Sequence, residues 1–304
     1  MVDSCILGRT PVNQSTNYQL IYRSTIQLLR FHFSFFLLPV YLFALSQAQE
    51  IDGRNAVLSF LILHLLVYPS SNGYNSYMDR DETPIGGLAS PLQPTKQLFY
   101  ATVVMDATAV ILSLLISYLF AGGVLAYILA SRAYSFRSIR LKRFPIIGFL
   151  TVFVFQGALI FYITYHAVNK IPDTNTPLLP LLLSSLLIGA LYPLTQIYQH
   201  KEDLKDGVKT ISYVLGKRGT FAFSMALFLT ATALMYILFN NQNRNNQFLL
   251  FLLYLLPVVL FFLYWMNRVW KDEKAADFKN SLRMNVLSTL CTTAYFITLI
   301  ILNH

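Results

Sequence analysis

Residues 55–82 read NAVLSFLILHLLVYPSSNGYNSYMDRDE, and residues 179–206, 124 positions further on, read LPLLLSSLLIGALYPLTQIYQHKEDLKD. Each stretch opens as an apolar run and closes in amides and acids. In this register Tyr68 falls on Tyr192, Pro69 on Pro193, Tyr74 on Tyr198 and Asp79 on Asp203, while Asn72 and Asn75 fall on Gln196 and Gln199 and Glu82 on Asp206. Four identities in the 15 positions 68–82 exceed the roughly one expected when each residue type occurs near 5%, which marks an internal repeat. Packing retained after a duplication accounts for Tyr-Pro, but hardly for an amide and two acids at the same i, i+4, i+7 spacing.

The rest of the chain has the composition these runs imply. Only 12% of the 304 residues are charged and 55% are apolar, against about 25% charged in soluble domains, too few charges to cover a water-facing surface. A soluble domain and a disordered chain are both excluded. A bilayer-crossing helix needs roughly 20 apolar residues, and nine windows are candidates, the fourth being the weakest because it is short: 26–47, 55–75, 97–119, 120–135, 144–167, 177–199, 220–240, 247–267 and 284–302. The third and fourth are expected to part at Ala121-Gly122-Gly123. The first resembles a signal peptide ending at Ser46-Gln47-Ala48, but it starts well inside the chain and carries Arg30, so it reads as a retained helix. The expected fold is an all-α membrane protein of about nine transmembrane helices around a central cavity. It forms one domain over 1–304, with pseudo-repeats at about 26–143 and 144–283 and a last helix at 284–302.

Of the 23 Lys and Arg, all but Arg54, Lys170 and Arg244 fall on the side of the N-terminus when nine spans alternate. By the positive-inside rule the N-terminus and the loops after the even-numbered spans are cytoplasmic, with the C-terminus opposite. The net charge of +9 is thereby topological, and nucleic acid is not an expected partner. Cys5 in the tail and Cys291 in the last span are too far apart in this topology for a disulfide.

On a helix, i, i+4 and i+7 share a face, so Asn75, Asp79 and Glu82 are expected to form one polar stripe and Gln199, Asp203 and Asp206 another. Facing carboxylates repel unless a cation lies between them. Oxygen-only donors favour Mg²⁺, which is commonly held by carboxylates together with substrate phosphates. Two acidic stripes beside Arg and Lys therefore point to a diphosphate.

These residues resemble the UbiA-type intramembrane prenyltransferases, whose signature is Asn-x-x-x-Asp-x-x-x-Asp after the second helix and Asp-x-x-x-Asp after the sixth. The resemblance runs over nearly the whole chain. The first stretch here is Asn75 to Thr83 through Asp79, Asp81 and Glu82; the second is Gln199 to Thr210 through Glu202, Asp203, Asp206 and Gly207, followed by Leu215-Gly216. Ala133-Tyr134-Ser135 with Arg140-Leu141-Lys142 is similar to the family's loop after helix four. Thr83, Gln199 and Ser138 replace an Asp, an Asp and a basic residue of the pattern, so Glu82 and Asp206, with Asp81 and Glu202 on adjoining faces, are candidates to complete the ligand set, and Arg137 or Arg140 to serve for Ser138.

The resemblance implies Mg²⁺-dependent transfer of a polyprenyl group from an allylic diphosphate to a hydrophobic or aromatic acceptor in the lipid bilayer. Quinone precursors lead among acceptors, with haem, chlorophyll-type and glycerol-phosphate acceptors as alternatives. Asp79 and Asp203 become the central catalytic ligands, and Asp81, Glu82, Glu202 and Asp206 the further metal candidates. Tyr74, Asn75, Arg80, Arg137, Arg140, Lys142, Tyr198 and Gln199 become the substrate-binding candidates. The basic residues of this set also satisfy the positive-inside rule without binding anything. A terpene cyclase on the same scaffold, with no acceptor, is the alternative. A transporter fits less well, because its acids would sit near the midplane rather than at helix ends. Asp106, inside the third span, is either functional or paired. His32, His64, His166 and His200 lack ligand spacing and read as packing residues.

Overall fold

The computed structural model describes residues 23–171 and 177–303; Cys5 lies outside them. Among the described residues nine long helices pack together: α1 Arg23–Gln47, α2 Gly53–Asp79, α3 Lys96–Ser113, α4 Tyr118–Ser135, α5 Pro145–Val168, α6 Leu178–Gln196, α7 Ile211–Asn241, α8 Asn245–Lys271 and α9 Phe278–Asn303. Seven are long and apolar enough to cross a membrane; α3 and α4 are the exceptions. Each of these two has 18 residues, about as many as α6, and what sets them apart is composition: Lys96 and Asp106 in α3 and Arg132, with two glycines and three tyrosines, in α4 dilute the apolar run. The outward surface is apolar, with Tyr118, Leu178 and Ile301 among its most exposed side chains. The protein is a multi-pass integral membrane protein.

Helix starts follow local chemistry. Asp52 accepts from Asn55 N at 3.1 Å before α2, Ser117 from Phe120 N at 3.0 Å before α4, and Thr210 from Tyr213 N at 3.2 Å before α7, each satisfying an orphan donor of a first turn. The Ser117 cap corrects the sequence expectation for spans three and four. The break lies at Leu114–Ser117, and Gly122 and Gly123 are both inside α4. Gly123 is there for packing: a Cβ on it would come within 2.2 Å of Ile163 in α5.

Helices α2 and α5 each contain a π-helical stretch, Ile62–Val67 and Phe153–Leu159. Wide turns of this kind divert backbone groups from the regular ladder, and in α5 the Ala158 N–H donates to Ser185 Oγ of α6 at 3.0 Å. Beside it, a Cβ on Gly157 would lie 2.4 Å from Ser185 Cα. Because both sides of that contact are backbone, Gly157→Ala is expected to force α5 and α6 apart and cost about 1–3 kcal/mol. A thermal-unfolding midpoint unchanged from wild type would contradict this.

The core is aromatic. Phe43 of α1 stacks on Phe296 of α9 at 4.9 Å and meets Phe161 of α5 at 5.3 Å. With α1 alternating against its neighbours, the start of α1 and the ends of α2, α4 and α6 gather at one end of the bundle, where the acids lie.

Candidate functional site

Helix α2 stops at Asp79 because Arg80 adopts a left-handed conformation, φ 56°, and closes the helix with Arg80 N to Ser76 O at 3.0 Å. Arg137 Nε donates to Met78 O at 2.9 Å, satisfying another terminal carbonyl. The expected single-helix stripes are therefore interrupted. Glu82 lies beyond α2 and is exposed, and α6 ends at Gln196, so Gln199 and Asp203 belong to a turn and a separate short helix, His200–Lys205, with Asp206 just past it. Periodicity cannot foresee this, since it assumes that a helix continues.

What the chain assembles is a polar pocket of about 190 Å³ whose wall includes Arg30, Asn75, Asp79, Asp81, Lys142, Gln199 and Asp203. Asn75 Nδ2 donates to Asp79 Oδ2 at 2.9 Å and to Ser135 Oγ of α4 at 3.0 Å. Asp79 is almost fully enclosed and pairs with Lys142 and, at 3.2 Å, with Arg140. Arg140 also binds Asp206, and Arg137 approaches Asp206 at 3.6 Å. Gln199 Nε2 donates to Pro84 O at 3.3 Å. The loop after α4 and both repeat halves are thus tied into one site.

The acids differ in their surroundings. Asp81 and Asp203 have no ion pair among the described residues. Burial, and then the neighbouring Asp79 carboxylate, push Asp81 up to about 6. Burial pushes Asp203 up to about 7, with Lys142 opposing and Asp79 and Asp81 adding to the rise. For Asp206 partial burial works upward, but the Arg140 hydrogen bond and the charges of Arg140 and Arg137 outweigh it and hold the carboxyl below its ordinary value.

Other candidates stand outside the pocket wall. Glu202 pairs with Lys205 at 2.8 Å, Arg80 is exposed, and Tyr198 packs edge-on to Phe278. Tyr74 lies under the Arg132 guanidinium at 3.9 Å. That arginine is the partner of Asp106: Arg132 Nε donates to Asp106 Oδ2 at 2.9 Å, Nη2 to Ser70 Oγ at 3.0 Å, and Ser70 Oγ to Asp106 Oδ1 at 2.6 Å. Asp106 is paired, across helices, in a cluster that joins α2, α3 and α4. His64 packs among Phe60, Tyr41 and Tyr68, and His200 meets Ser212 Oγ at 2.8 Å.

Arg30 is a site residue that sequence reasoning missed. It lines the pocket, is buried, and donates to Gly86 O at 3.1 Å and Asn72 O at 3.2 Å, leaving Nε without a partner among the described residues. Arg140 Nε is likewise buried and unpartnered. The available signal was an ionisable residue within an apolar run. Arg30, Arg80 and Arg140 all have positive φ, between 47° and 56°, a conformation that costs free energy in non-glycine residues and concentrates at functional sites.

The sequence model of the UbiA prenyltransferase family matches residues 35–288. No match was found among curated proteins. Among solved structures, the chain is similar to a UbiA homolog from Archaeoglobus fulgidus bound to DMAPP and Mg²⁺ (18% identity, 91% of this chain and 99% of that one, TM-score 0.70). It is also similar to a UbiA homolog from Aeropyrum pernix K1 in its apo form (17%, 88% and 97%, 0.64) and to a digeranylgeranylglyceryl phosphate synthase (19%, 92% and 98%, 0.60). The structural likenesses establish the shared fold, and the sequence match over most of the chain establishes more: the protein belongs to the UbiA prenyltransferase family.

Proposed function

We propose that the protein transfers a polyprenyl group from an allylic diphosphate to an acceptor within the membrane, releasing diphosphate. The observation that carries this reading is the convergence of Asp79, Asp81 and Asp203 on one pocket, two of them half-buried and without an ion pair among the described residues, beside cations that keep an unpartnered N–H.

The donor set fits Mg²⁺ in kind. It is all oxygen, and uncompensated carboxylates in a poorly solvated site favour a bound cation. Among the described residues no three acidic, imidazole or thiol side chains stand close enough together to grip an ion by themselves, and Asp79 and Asp206 are engaged by Lys142 and Arg140. Asp79, Asp81 and Asp203 would hold the ion, with Glu82, Glu202 and Asp206 at the margin. When bound, Mg²⁺ supplies positive charge that offsets the diphosphate as the allylic C–O bond ionises.

The cationic side chains then exchange partners. Lys142, Arg140 and Arg30 present N–H donors to diphosphate oxygens in a site with little water, where preorganised charge acts strongly. The C1–O bond of the substrate breaks with its electron pair on the diphosphate, an electron pair of the acceptor forms the new bond to C1, and the acceptor's proton leaves with the diphosphate. Phe33, Tyr127, Tyr134, Phe155 and Tyr192 on the pocket wall supply aromatic surface for the allylic cation. Phe33 is in ring contact at 4.9 Å with Phe36, which lines a separate apolar cavity of about 300 Å³ walled by α1, α6, α7, α8 and α9. That cavity suits a prenyl tail. The N-terminus and the site loops are assigned to the cytoplasmic side by their basic residues. The resemblance favours a quinone precursor as acceptor, and the cyclase remains the second reading because nothing in the acidic end of the pocket requires an acceptor.

Purified protein in lipid, given a prenyl diphosphate, Mg²⁺ and a panel of aromatic and lipid acceptors, is expected to release diphosphate and form a prenylated acceptor. A cyclic hydrocarbon formed without acceptor would select the cyclase, and no release under any combination would remove both readings.

A further inference from the structure

The short helix His200–Lys205 carries Asp203 to the pocket wall, yet little in the helix itself holds it there. It has six residues, none of them buried, and a helix of that length does not persist on its own. The cations of the site pair with Asp79 and Asp206 and leave Asp203 without an ion pair among the described residues. Its carboxylate is therefore placed by the backbone that bears it, and whatever fixes that backbone fixes the carboxylate.

Polar ties reach the segment at both ends. Just past the C-terminal end, Arg140 Nη1 donates to Asp206 O at 3.0 Å, and the same guanidinium pairs with the Asp206 carboxylate. In the proposed reaction Arg140 turns to the diphosphate, so this tie is given up when substrate enters. Just before the N-terminal end, Gln199 reaches only the loop between α2 and α3, at Pro84 O. The remaining tie is His200, the first residue of the helix. Its Nε2 lies 2.8 Å from Ser212 Oγ, which lies 3.0 Å from Thr220 Oγ1, and Thr220 Oγ1 donates to Gly216 O at 2.7 Å. Ser212 and Thr220 are fully buried.

This chain closes wherever the imidazole proton sits. With the proton on Nε2, His200 donates to Ser212 and Ser212 to Thr220; with it on Nδ1, Ser212 donates to Nε2 instead. Turning the ring over would put a carbon at 2.8 Å from the hydroxyl oxygen, well inside the roughly 3.3 Å of a C–H···O contact. The far end of the chain is anchored in α7. Gly216, with φ 67° and ψ 173°, breaks that helix near its start, and Thr220 Oγ1 spans the break, within 2.7 Å of Gly216 O and 3.2 Å of Ser212 O. His200 is thus joined through two buried hydroxyls to a membrane-spanning helix rather than to a loop.

We infer that the His200–Ser212–Thr220 chain is the fixed mount of the Asp203 helix, a positioning device that keeps this carboxylate aimed at the metal position while Arg140 changes partners. The part played by Asp203 rests on the proposed function; the mount rests on the hydrogen bonds.

The test uses Mn²⁺ alone as the probe, its binding to the full chain in lipid nanodiscs read by electron paramagnetic resonance. Residues that orient a metal ligand typically contribute ten- to a hundredfold to affinity, so Ser212→Ala and His200→Phe are each expected to weaken Mn²⁺ binding about tenfold. His200→Phe keeps the edge-on ring contact with Tyr213 and loses only the nitrogen. His200→Gln, which returns a polar group to the place of Nε2, is expected to recover most of the affinity. In diphosphate release at saturating Mg²⁺, kcat of the two defective variants should fall about tenfold with the KM for geranyl diphosphate nearly unchanged. Wild-type Mn²⁺ affinity in Ser212→Ala and His200→Phe, or no recovery in His200→Gln, overturns the inference. Asp203→Asn separates the two readings. Weak binding there beside normal binding in Ser212→Ala removes the mount and keeps the ligand; normal binding in Asp203→Asn removes the ligand assignment itself. Amide hydrogen exchange over residues 200–206 of ligand-free wild-type protein is expected to be slow, and rapid exchange there removes the mount whether or not any variant folds.

Discussion

Asp79→Asn is expected to lower Mg²⁺-dependent diphosphate release on the order of 10²- to 10³-fold, the scale associated with losing one preorganised electrostatic contact to a reacting centre. The substitution preserves shape and removes only charge. It also releases Lys142 and Arg140, both paired to Asp79, so the cations remain available to the diphosphate. The loss should therefore fall on kcat and on the Mg²⁺ requirement more than on the KM for the prenyl diphosphate. Asp203→Asn is expected to behave alike, although Asp203 has no ion pair to release among the described residues. Glu82→Gln, at an exposed position beyond α2, is expected to remain close to wild type. Either aspartate variant, folded in lipid and retaining the wild-type rate and Mg²⁺ dependence, would defeat the ligand assignment.

The largest effect on stability is expected at the Asp106–Arg132 pair. Both side chains are largely enclosed, with 16% and 19% exposure, and they lie within helices α3 and α4. Removing one partner leaves a charge without compensation, typically about 3–5 kcal/mol for a buried pair. Asp106→Asn and Arg132→Gln should each lower the thermal-unfolding midpoint strongly. Arg132→Gln has the added consequence of uncovering Tyr74, the residue beside Asn75, whose ring the guanidinium overlies at 3.9 Å. The double variant leaves no orphan charge and is expected to be more stable than the sum of the single losses. Strictly additive losses would show that the two residues do not act as a pair.

The helical architecture was legible because crossing a bilayer demands long apolar runs, a requirement visible in one dimension. The break between α3 and α4 was not. Two adjacent glycines suggest a break when only local preference is considered, yet Gly123 answers to the approach of Ile163 from α5, a contact that no window of sequence contains. Asp79 and Asp203 were legible through the repeat and the resemblance, and Asp81, which falls on Lys205 in the repeat, only as a further candidate beside them. Their grouping without Glu82 was not, since it follows from Arg80 ending α2 in a left-handed turn. Arg30 was visible only as a charge in an apolar run and served to orient the first span.

The three left-handed arginines bear on how this protein can be engineered. At positions 30, 80 and 140 glycine would adopt the observed backbone with little penalty, while any other side chain stores strain of order 1–3 kcal/mol. Selection for heat tolerance would therefore reward glycine at Arg80, which is exposed and holds no ion pair among the described residues. At Arg30 and Arg140 the same relief is outweighed, because glycine would abandon the carbonyls of Gly86 and Asn72 and leave Asp79 and Asp206 short of a partner. The strain at those two positions is thus retained by the contacts it makes possible, and a stability screen will separate position 80 from positions 30 and 140 by the sign of the glycine effect.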